Sequence, residues 1–246
     1  TLMPMFYIFR EHIKQSLAVI AFLITLTACT SDSYDAGDGP NSYLTADLVL
    51  LHTSQDKSVR SALLDDGTTL QFSNPFAQDW LTRPDSVYRA LLYYDKTVAA
   101  SDAAASNHTA TSIVRARSVR PVSVLRPVEA EDKETLRTDP VGFESLWLSK
   151  NKSYINLSLL LKSGKTEADD ALHALGIVSH GTTTDADRRR TLHLTLYHDQ
   201  GGVPAYYTVQ QYVSIPTQLL EEADTVELTL NTYNGKKVVK VAVSNL

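Results

Sequence analysis

Apolar and polar residues alternate with a period of two along most of the chain beyond residue 43. In the segment 192–197, leucine occupies every second position, and His193, Thr195 and Tyr197 lie between the leucines. Successive side chains of a strand point to opposite faces, so this period is typical of strands with one buried and one polar face. We therefore predict an all-β fold.

The segment 43–128 is predicted to form a small Greek-key barrel of OB type. Five stretches in it have the composition of strands, at about 44–50, 59–63, 68–72, 87–95 and 113–124. Asp65, Asp66 and Gly67 supply a tight turn between the second and third stretches. Residues 99–111 have the composition of an exposed loop. Five strands with one loop-rich connection suit this kind of barrel.

The segment 141–246 is predicted to form a β-sandwich. The charged stretch 129–140, which ends at Pro140, is interpreted as the linker between the two domains. About seven strand-like stretches follow, at 143–149, 155–161, 171–179, 191–198, 206–214, 226–231 and 238–243. Asn234 and Gly235 give the strongest hairpin signal of the chain. A single helical turn is predicted within 216–224.

Residues 1–28 have the features of a lipoprotein export signal. Arg10 and Lys14 precede an apolar run at 17–26, which is shorter than the roughly 20 residues that a membrane span needs. The run ends in Leu-Thr-Ala-Cys29, the pattern of a bacterial lipobox, in which the cysteine thiol takes a diacylglyceryl group. We predict lipid attachment at Cys29, with residues 29–42 as a flexible tether. A buried helix with an incidental cysteine and a cleaved signal without lipid are the alternatives.

Composition and spacing argue against several kinds of chemistry. Cys29 is the only cysteine, which excludes a disulfide framework within one chain and a zinc site built on several cysteines. The formal charge of −5 argues against a nucleic-acid partner. His193 and His198 lie five residues apart and point to opposite faces of a strand, so they do not chelate one metal from it. We interpret His198 and Asp199 as part of a turn in which the histidine caps backbone groups. The sequence predicts no catalytic residue, metal or cofactor.

Four side chains form the candidate partner surface. His193, Tyr197, Tyr206 and Tyr212 lie on the polar sides of two predicted strands, 191–198 and 206–214. If these strands pair, the rings gather on one outer surface that suits a protein or glycan partner, because tyrosine combines apolar area with a hydroxyl. Ordinary cross-strand packing is the alternative explanation.

Beyond the lipobox and the acidic tether, five stretches follow one another in a recognisable order: LLDDGTTLQFSNP (63–75), YRALLYYDK (88–96), DPVGFESLWLSKNKSYINLSL (139–159), LHLTLYHDQGG (192–202) and VSIP (213–216). The order and spacing of these motifs resemble those of the NigD-like lipoproteins of Gram-negative bacteria. This resemblance implies an N-terminal OB-type domain and a C-terminal β-sandwich. The family has no established activity, so the resemblance implies no mechanism.

These features together predict an envelope-anchored lipoprotein of the outer membrane, facing the periplasm or the cell surface. The acylated Cys29 would hold it to the membrane, and the two β domains would serve as a non-enzymatic binding or scaffolding module. A carbohydrate-binding accessory lipoprotein is the alternative. A hydrolase with an unrecognised histidine or carboxylate constellation is a further one.

Overall fold

The computed structural model describes residues 44–96, 111–129, 136–165, 172–220 and 223–243. Within these ranges the chain forms fourteen strands and one 3-10 turn at Thr217–Leu219, which lies inside the segment predicted to hold a helical turn. The all-β prediction is confirmed. The predicted signal peptide, the tether and the lipid attachment at Cys29 all fall outside the described residues.

The first five strands close into a barrel. Their bounds are β1 Leu44–Thr53, β2 Val59–Leu64, β3 Thr69–Phe76, β4 Val87–Lys96 and β5 Thr111–Pro121. The strand order is β1-β2-β3-β5-β4, and β4 returns to pair with β1. The predicted OB-type barrel is thus confirmed. Gly67 takes a φ of 88° in the β2–β3 turn, in the left-handed region that favours glycine.

The alternation predicted from the sequence decides which barrel residues face the core. In β4, Ala90, Leu92 and Tyr94 point into the barrel and are almost fully buried. Arg89, Leu91 and Tyr93 alternate with these residues and therefore point outwards. These outward residues of β4 face the second half of the molecule.

The remaining nine strands form a sandwich of two sheets. Their bounds are β6 Ser123–Val124, β7 Pro127–Glu129, β8 Gly142–Leu148, β9 Tyr154–Ser163, β10 Ala174–Thr184, β11 Arg190–Asp199, β12 Tyr207–Pro216, β13 Thr225–Thr232 and β14 Gly235–Ala242. One sheet has the order β14-β13-β11-β10-β7, and the other has the order β6-β12-β9-β8. The inward residues of both sheets form one apolar core, which includes Leu157, Leu194 and Leu228.

Two short strands connect the barrel to the sandwich. β6 pairs in parallel with β12, and β7 pairs in parallel with β10. Residues 123–128 lie within the segment predicted to form the barrel, whereas their strand partners belong to the sandwich. Segments of two or three residues show no measurable period, and their partners lie some fifty to ninety residues further along the chain, so only the assembled sheets reveal this placement.

Candidate ligand groove between the barrel and the sandwich

The barrel packs against the outer face of the four-stranded sheet, and we call this contact the seam. Leu48 of β1, Leu91 of β4 and Val122 form its buried apolar part. Three aromatic side chains pack around them: Tyr93, Trp147 and Tyr212. The seam brings together residues that are far apart in sequence. The pleat of each strand decides which of its side chains reach the seam, because successive side chains point to opposite faces.

Arg89 is the centre of a polar network inside the seam. Its Nη1 and Nη2 donate to the two carboxylate oxygens of Asp65 at 2.6 and 2.7 Å. Nη2 also donates to Asn156 Oδ1 at 3.0 Å, and Nε donates to Ser214 Oγ at 3.1 Å. The guanidinium lies 4.3 Å from the ring centroid of Tyr154, a cation–π distance. Arg89 and Asp65 belong to the barrel, and the other three residues belong to the sandwich.

The same network closes on itself through its other members. Asn156 Nδ2 donates to Asp65 Oδ2 at 3.1 Å, and Ser214 Oγ donates to Asn156 Oδ1 at 2.7 Å. The Arg89 side chain is only 1% exposed, so its charge depends on these partners. Paired and hydrogen-bonded charges of this kind have few alternative arrangements. The network therefore fixes the orientation of the barrel on the sandwich.

A cleft opens beside this network, and we call it the seam groove. Its main cavity has a volume of about 370 Å³ and lies between β1 and β4 of the barrel and β8 and β12 of the sandwich. A second cavity of about 230 Å³ shares Leu91, Tyr93 and Tyr212 with the first. The two cavities share part of their lining, and we treat them together as the seam groove. Its apolar and aromatic walls, with a few polar groups, match the usual lining of ligand sites.

The charged groups of the groove are held by neighbouring donors. Asp47 Oδ2 accepts a hydrogen bond from the hydroxyl of Tyr94 at 2.8 Å. Burial, together with the Asp47 carboxylate, raises the pKa of Tyr94 well above its usual value, so this hydroxyl stays protonated. Hydrogen bonds from Thr68 and the nearby charge of Lys150 lower the pKa of Asp66. The Asp66 carboxylate is thus ionised at neutral pH.

The structure divides the four residues of the predicted partner surface among separate locations. β11, which carries His193 and Tyr197, lies between β10 and β13 in the five-stranded sheet. β12, which carries Tyr212, lies in the other sheet, and Tyr206 precedes it with 79% exposure. The hypothesis that strands 191–198 and 206–214 pair is therefore wrong. Both strands alternate equally well, and alternation does not say which strands are neighbours.

His193 belongs to a row of ionic contacts on the outer face of the five-stranded sheet. Its Nδ1 lies 3.2 Å from Glu227 Oε1, and its Nε2 lies 2.8 Å from Thr183 Oγ1. Lys240 Nζ lies 2.9 Å from Glu227 Oε2. The hydrogen bond from Lys240, with a smaller effect from His193, lowers the pKa of Glu227. This row forms cross-strand pairs, as the alternative explanation supposed.

His198 is buried at the end of β11, where it contacts the backbone. Its Nδ1 lies 2.9 Å from the carbonyl oxygen of Asp139, and its Nε2 lies 3.0 Å from Nδ1 of His173. The carbonyl accepts, so His198 donates from Nδ1 and accepts at Nε2 from His173. The contact with the Asp139 carbonyl agrees with the interpretation of His198 as a ring that caps backbone groups, but His198 and Asp199 lie in β11 and not in a turn. Within the described ranges, no three metal-ligating side chains of histidine, cysteine, aspartate or glutamate come together.

The sequence analysis did not identify the seam residues other than Tyr212. Arg89 is a charged residue in the otherwise apolar strand VYRALLYY, and Asn156 stands beside buried leucines. Both positions point away from their own domain core, so the alternation assigned them to a solvated face. A lone arginine in an apolar strand was the available signal, but its partners Asp65 and Ser214 lie in distant segments.

Comparison with known families decides the assignment of the second domain. Residues 124–243 match the family model of the NigD-like C-terminal beta sandwich domain. The chain carries a NigD-like sandwich. The family resemblance predicted from the sequence is therefore confirmed. No curated protein matches the chain.

Solved structures from Bacteroides share the fold of this chain. A NigD-like immunity protein from Bacteroides caccae ATCC 43185 is 23% identical and has a TM-score of 0.58, with 80% of this chain and 91% of that chain covered. A protein of unknown function from Bacteroides vulgatus ATCC 8482 is 16% identical and has a TM-score of 0.56. The match covers 80% of this chain and 90% of that chain. A candidate lipoprotein from Bacteroides fragilis NCTC 9343 is 13% identical and also has a TM-score of 0.56. The match covers 82% of this chain and 98% of that chain.

No helix among the described residues is long and apolar enough to cross a membrane.

Proposed function

We propose that this NigD-like protein is a lipid-anchored, non-enzymatic binding protein of the bacterial outer membrane, and that it holds its partner in the seam groove. Acylation of Cys29 provides the anchor, and residues 29–42 provide the tether. The observation that carries the binding role is the groove itself: an aromatic cleft between two domains whose relative orientation the Arg89 network fixes. A fixed cleft binds without first having to be ordered, which lowers the entropic cost of association.

Two further observations support this proposal. The lipobox is the sequence pattern of an acylated cysteine, and two or more acyl chains give stable anchoring because each buried CH₂ contributes about 0.8 kcal/mol. One structural relative is a candidate lipoprotein and another is an immunity protein. Both descriptions agree with a protein that binds a partner at the envelope.

Metabolic labelling tests the anchor. Cells that produce the wild type or Cys29→Ala are grown with a clickable fatty-acid analogue, and their membranes are separated by density. We expect label and outer-membrane fractionation for the wild type only. Equal labelling of both proteins, or an unlabelled wild type in the cytosolic fraction, would remove the anchor from the proposal.

Site-specific crosslinking tests the groove. A photoreactive benzoylphenylalanine replaces Tyr212 in the groove, and a matched variant carries it at Val238, which is 46% exposed on β14 of the other sheet. In the native host we expect the label at position 212 to give an adduct that the label at position 238 does not give. The same adducts from both positions, or adducts from neither, would contradict a binding role for the groove.

A further inference from the structure

We propose that the seam groove binds a neutral, linear oligosaccharide. This inference rests on the proposed binding role of the groove and names its ligand class. Four properties of the groove carry it: two adjoining cavities, an aromatic wall, a balanced set of lining charges and polar side chains in each cavity.

The shape of the groove suits a chain of several units. The cavities of about 370 and 230 Å³ share Leu91, Tyr93 and Tyr212 in their linings. One end lies beside β8 and the other lies beside Arg120 and Val122, where the chain leaves the barrel. A compact ligand would occupy one cavity, whereas a linear oligomer spans both and gains contacts in each.

The aromatic wall supplies the apolar contacts that sugars use. Trp147 and Tyr212 meet edge to face, with their centroids 6.4 Å apart and their planes at 82°, and Tyr93 lies beside Tyr212 in both cavities. A pyranose has faces of C–H groups that carry partial positive charge. Such faces pack favourably on the negative face of an aromatic ring.

The charges around the groove balance, which favours an uncharged ligand. Asp65 is paired with Arg89, and Lys150 acts on Asp66. The remaining lining charges are one carboxylate, Asp47 in the first cavity, and one guanidinium, Arg120 in the second. A strongly charged ligand would meet a group of its own sign within the groove and would lose favourable hydration.

Planar polar side chains supply hydrogen bonds for hydroxyl groups. Gln210 and Gln211 line the second cavity, and Asp47 lines the first. Gln210 is held in place because its Nε2 donates to Glu144 Oε2 at 2.6 Å and to Ser158 Oγ at 3.0 Å.

Intrinsic fluorescence provides the test. The chain contains two tryptophans, Trp80 and Trp147, so Trp80→Phe leaves Trp147 in the groove as the only reporter. The mature protein carrying this substitution is titrated with hexasaccharides of β-1,4-glucose, α-1,4-glucose, β-1,4-xylose, β-1,4-mannose and β-1,4-N-acetylglucosamine. It is also run in native gels that contain the corresponding polysaccharides. We expect at least one neutral chain to change the emission of Trp147 and to retard the protein.

Two tyrosines of the same strand region give a matched pair of variants. Tyr212→Ala removes one ring of the aromatic wall, and we expect binding about tenfold weaker, equivalent to about 1.4 kcal/mol. Tyr207→Ala removes a ring that is 50% exposed on β12 outside the groove, and we expect unchanged binding. Thermal unfolding of both variants controls for folding, and Gln210→Ala, an exposed substitution, gives a second test of the groove.

Three outcomes would overturn the proposal. One is that no neutral oligosaccharide changes the emission or the mobility. Another is that only acidic chains, such as polygalacturonate, bind. The third is an equal loss of binding in Tyr207→Ala and Tyr212→Ala. If no sugar binds while the crosslinker at position 212 captures a protein, the sugar inference fails and the binding role of the groove stands.

Discussion

Arg89 of the barrel donates to Asn156 of the sandwich at 3.0 Å, although 67 residues separate them in the chain. Asn156 is fully buried, with 0% exposure, on the polar side of β9. It accepts from the guanidinium with its oxygen and donates to Asp65 with its nitrogen. One amide thus joins both members of a buried ion pair across the seam.

Removal of Arg89 is expected to destabilise the whole protein. Arg89→Ala leaves the Asp65 carboxylate without its cation, and it removes the donor to Ser214 and one of the two donors to Asn156. We expect the free energy of unfolding to fall by about 3–5 kcal/mol, the usual cost of breaking a buried pair on one side. Urea denaturation measures this. Arg60→Ala is the control, because the Arg60–Asp56 pair is exposed and 3.9 Å long. A loss for Arg89→Ala no larger than for Arg60→Ala would disprove the role of the network.

Substitution of Ser214 is expected to have a smaller effect. Ser214→Ala removes one hydroxyl from a network that keeps its charge pair, so we expect a loss of about 1 kcal/mol. The serine is fully buried, so water does not readily replace the lost contact. A double-mutant cycle with Asn156→Ala measures the coupling, since the hydroxyl donates to Asn156 at 2.7 Å. Strictly additive losses would show that the two side chains do not act together.

Neighbouring leucines of β9 are expected to respond very differently to truncation. Leu157 has 0% exposure in the core between the sheets, so Leu157→Ala should cost about 2–5 kcal/mol. Leu160 points to the outer face and is only partly buried, so Leu160→Ala should cost clearly less. Thermal unfolding of the two variants gives the comparison. The opposite order would mean that β9 presents its other face to the core.

Stability is expected to fall as the pH drops below about 6.5. Burial, with a contribution from the neighbouring His198, lowers the pKa of His173 from its usual 6.5. The unfolded chain therefore binds this proton more readily than the folded protein, so unfolding becomes easier as the pH falls through the unfolded value towards the folded one. Above that range the effect is absent.

Thermal unfolding between pH 8 and pH 5 measures this dependence. His173→Asn is expected to flatten the curve between pH 7 and pH 5.5. His180→Asn, which removes an exposed histidine from β10, the strand that follows His173, is the control and should leave the slope unchanged. If His180→Asn flattens the curve and His173→Asn does not, the assignment to His173 is wrong.

The local pattern predicted most of the elements. The tight turn at Asp65–Gly67 and the Asn234–Gly235 hairpin form where the turn residues indicate, because glycine accepts the positive φ that each turn requires. All five barrel strands and the seven longer sandwich strands fall close to the predicted stretches. These signals are local: each depends on residues within a few positions of one another.

The neighbours of the strands could not be predicted in the same way. His193, Tyr197 and Tyr212 alternate correctly along β11 and β12, yet these strands lie in different sheets. Alternation fixes two faces for each strand and leaves the partner open, because any strand with one apolar face can pack against any other. The partner surface was therefore assembled from residues that the fold keeps apart.

By itself, the sequence determined the strands, their inward faces, their turns and the order of the two domains, since these follow from residue spacing and backbone preference. Tertiary structure alone decided that the polar face of β9 and β12 would be buried under the barrel. Asn156 and Ser214 look like solvated positions in the alternation, and they become interior only because Arg89 and Asp65 cover them. The seam groove exists for the same reason. It is the space that remains where the outer face of the barrel meets the outer face of the four-stranded sheet at a fixed orientation.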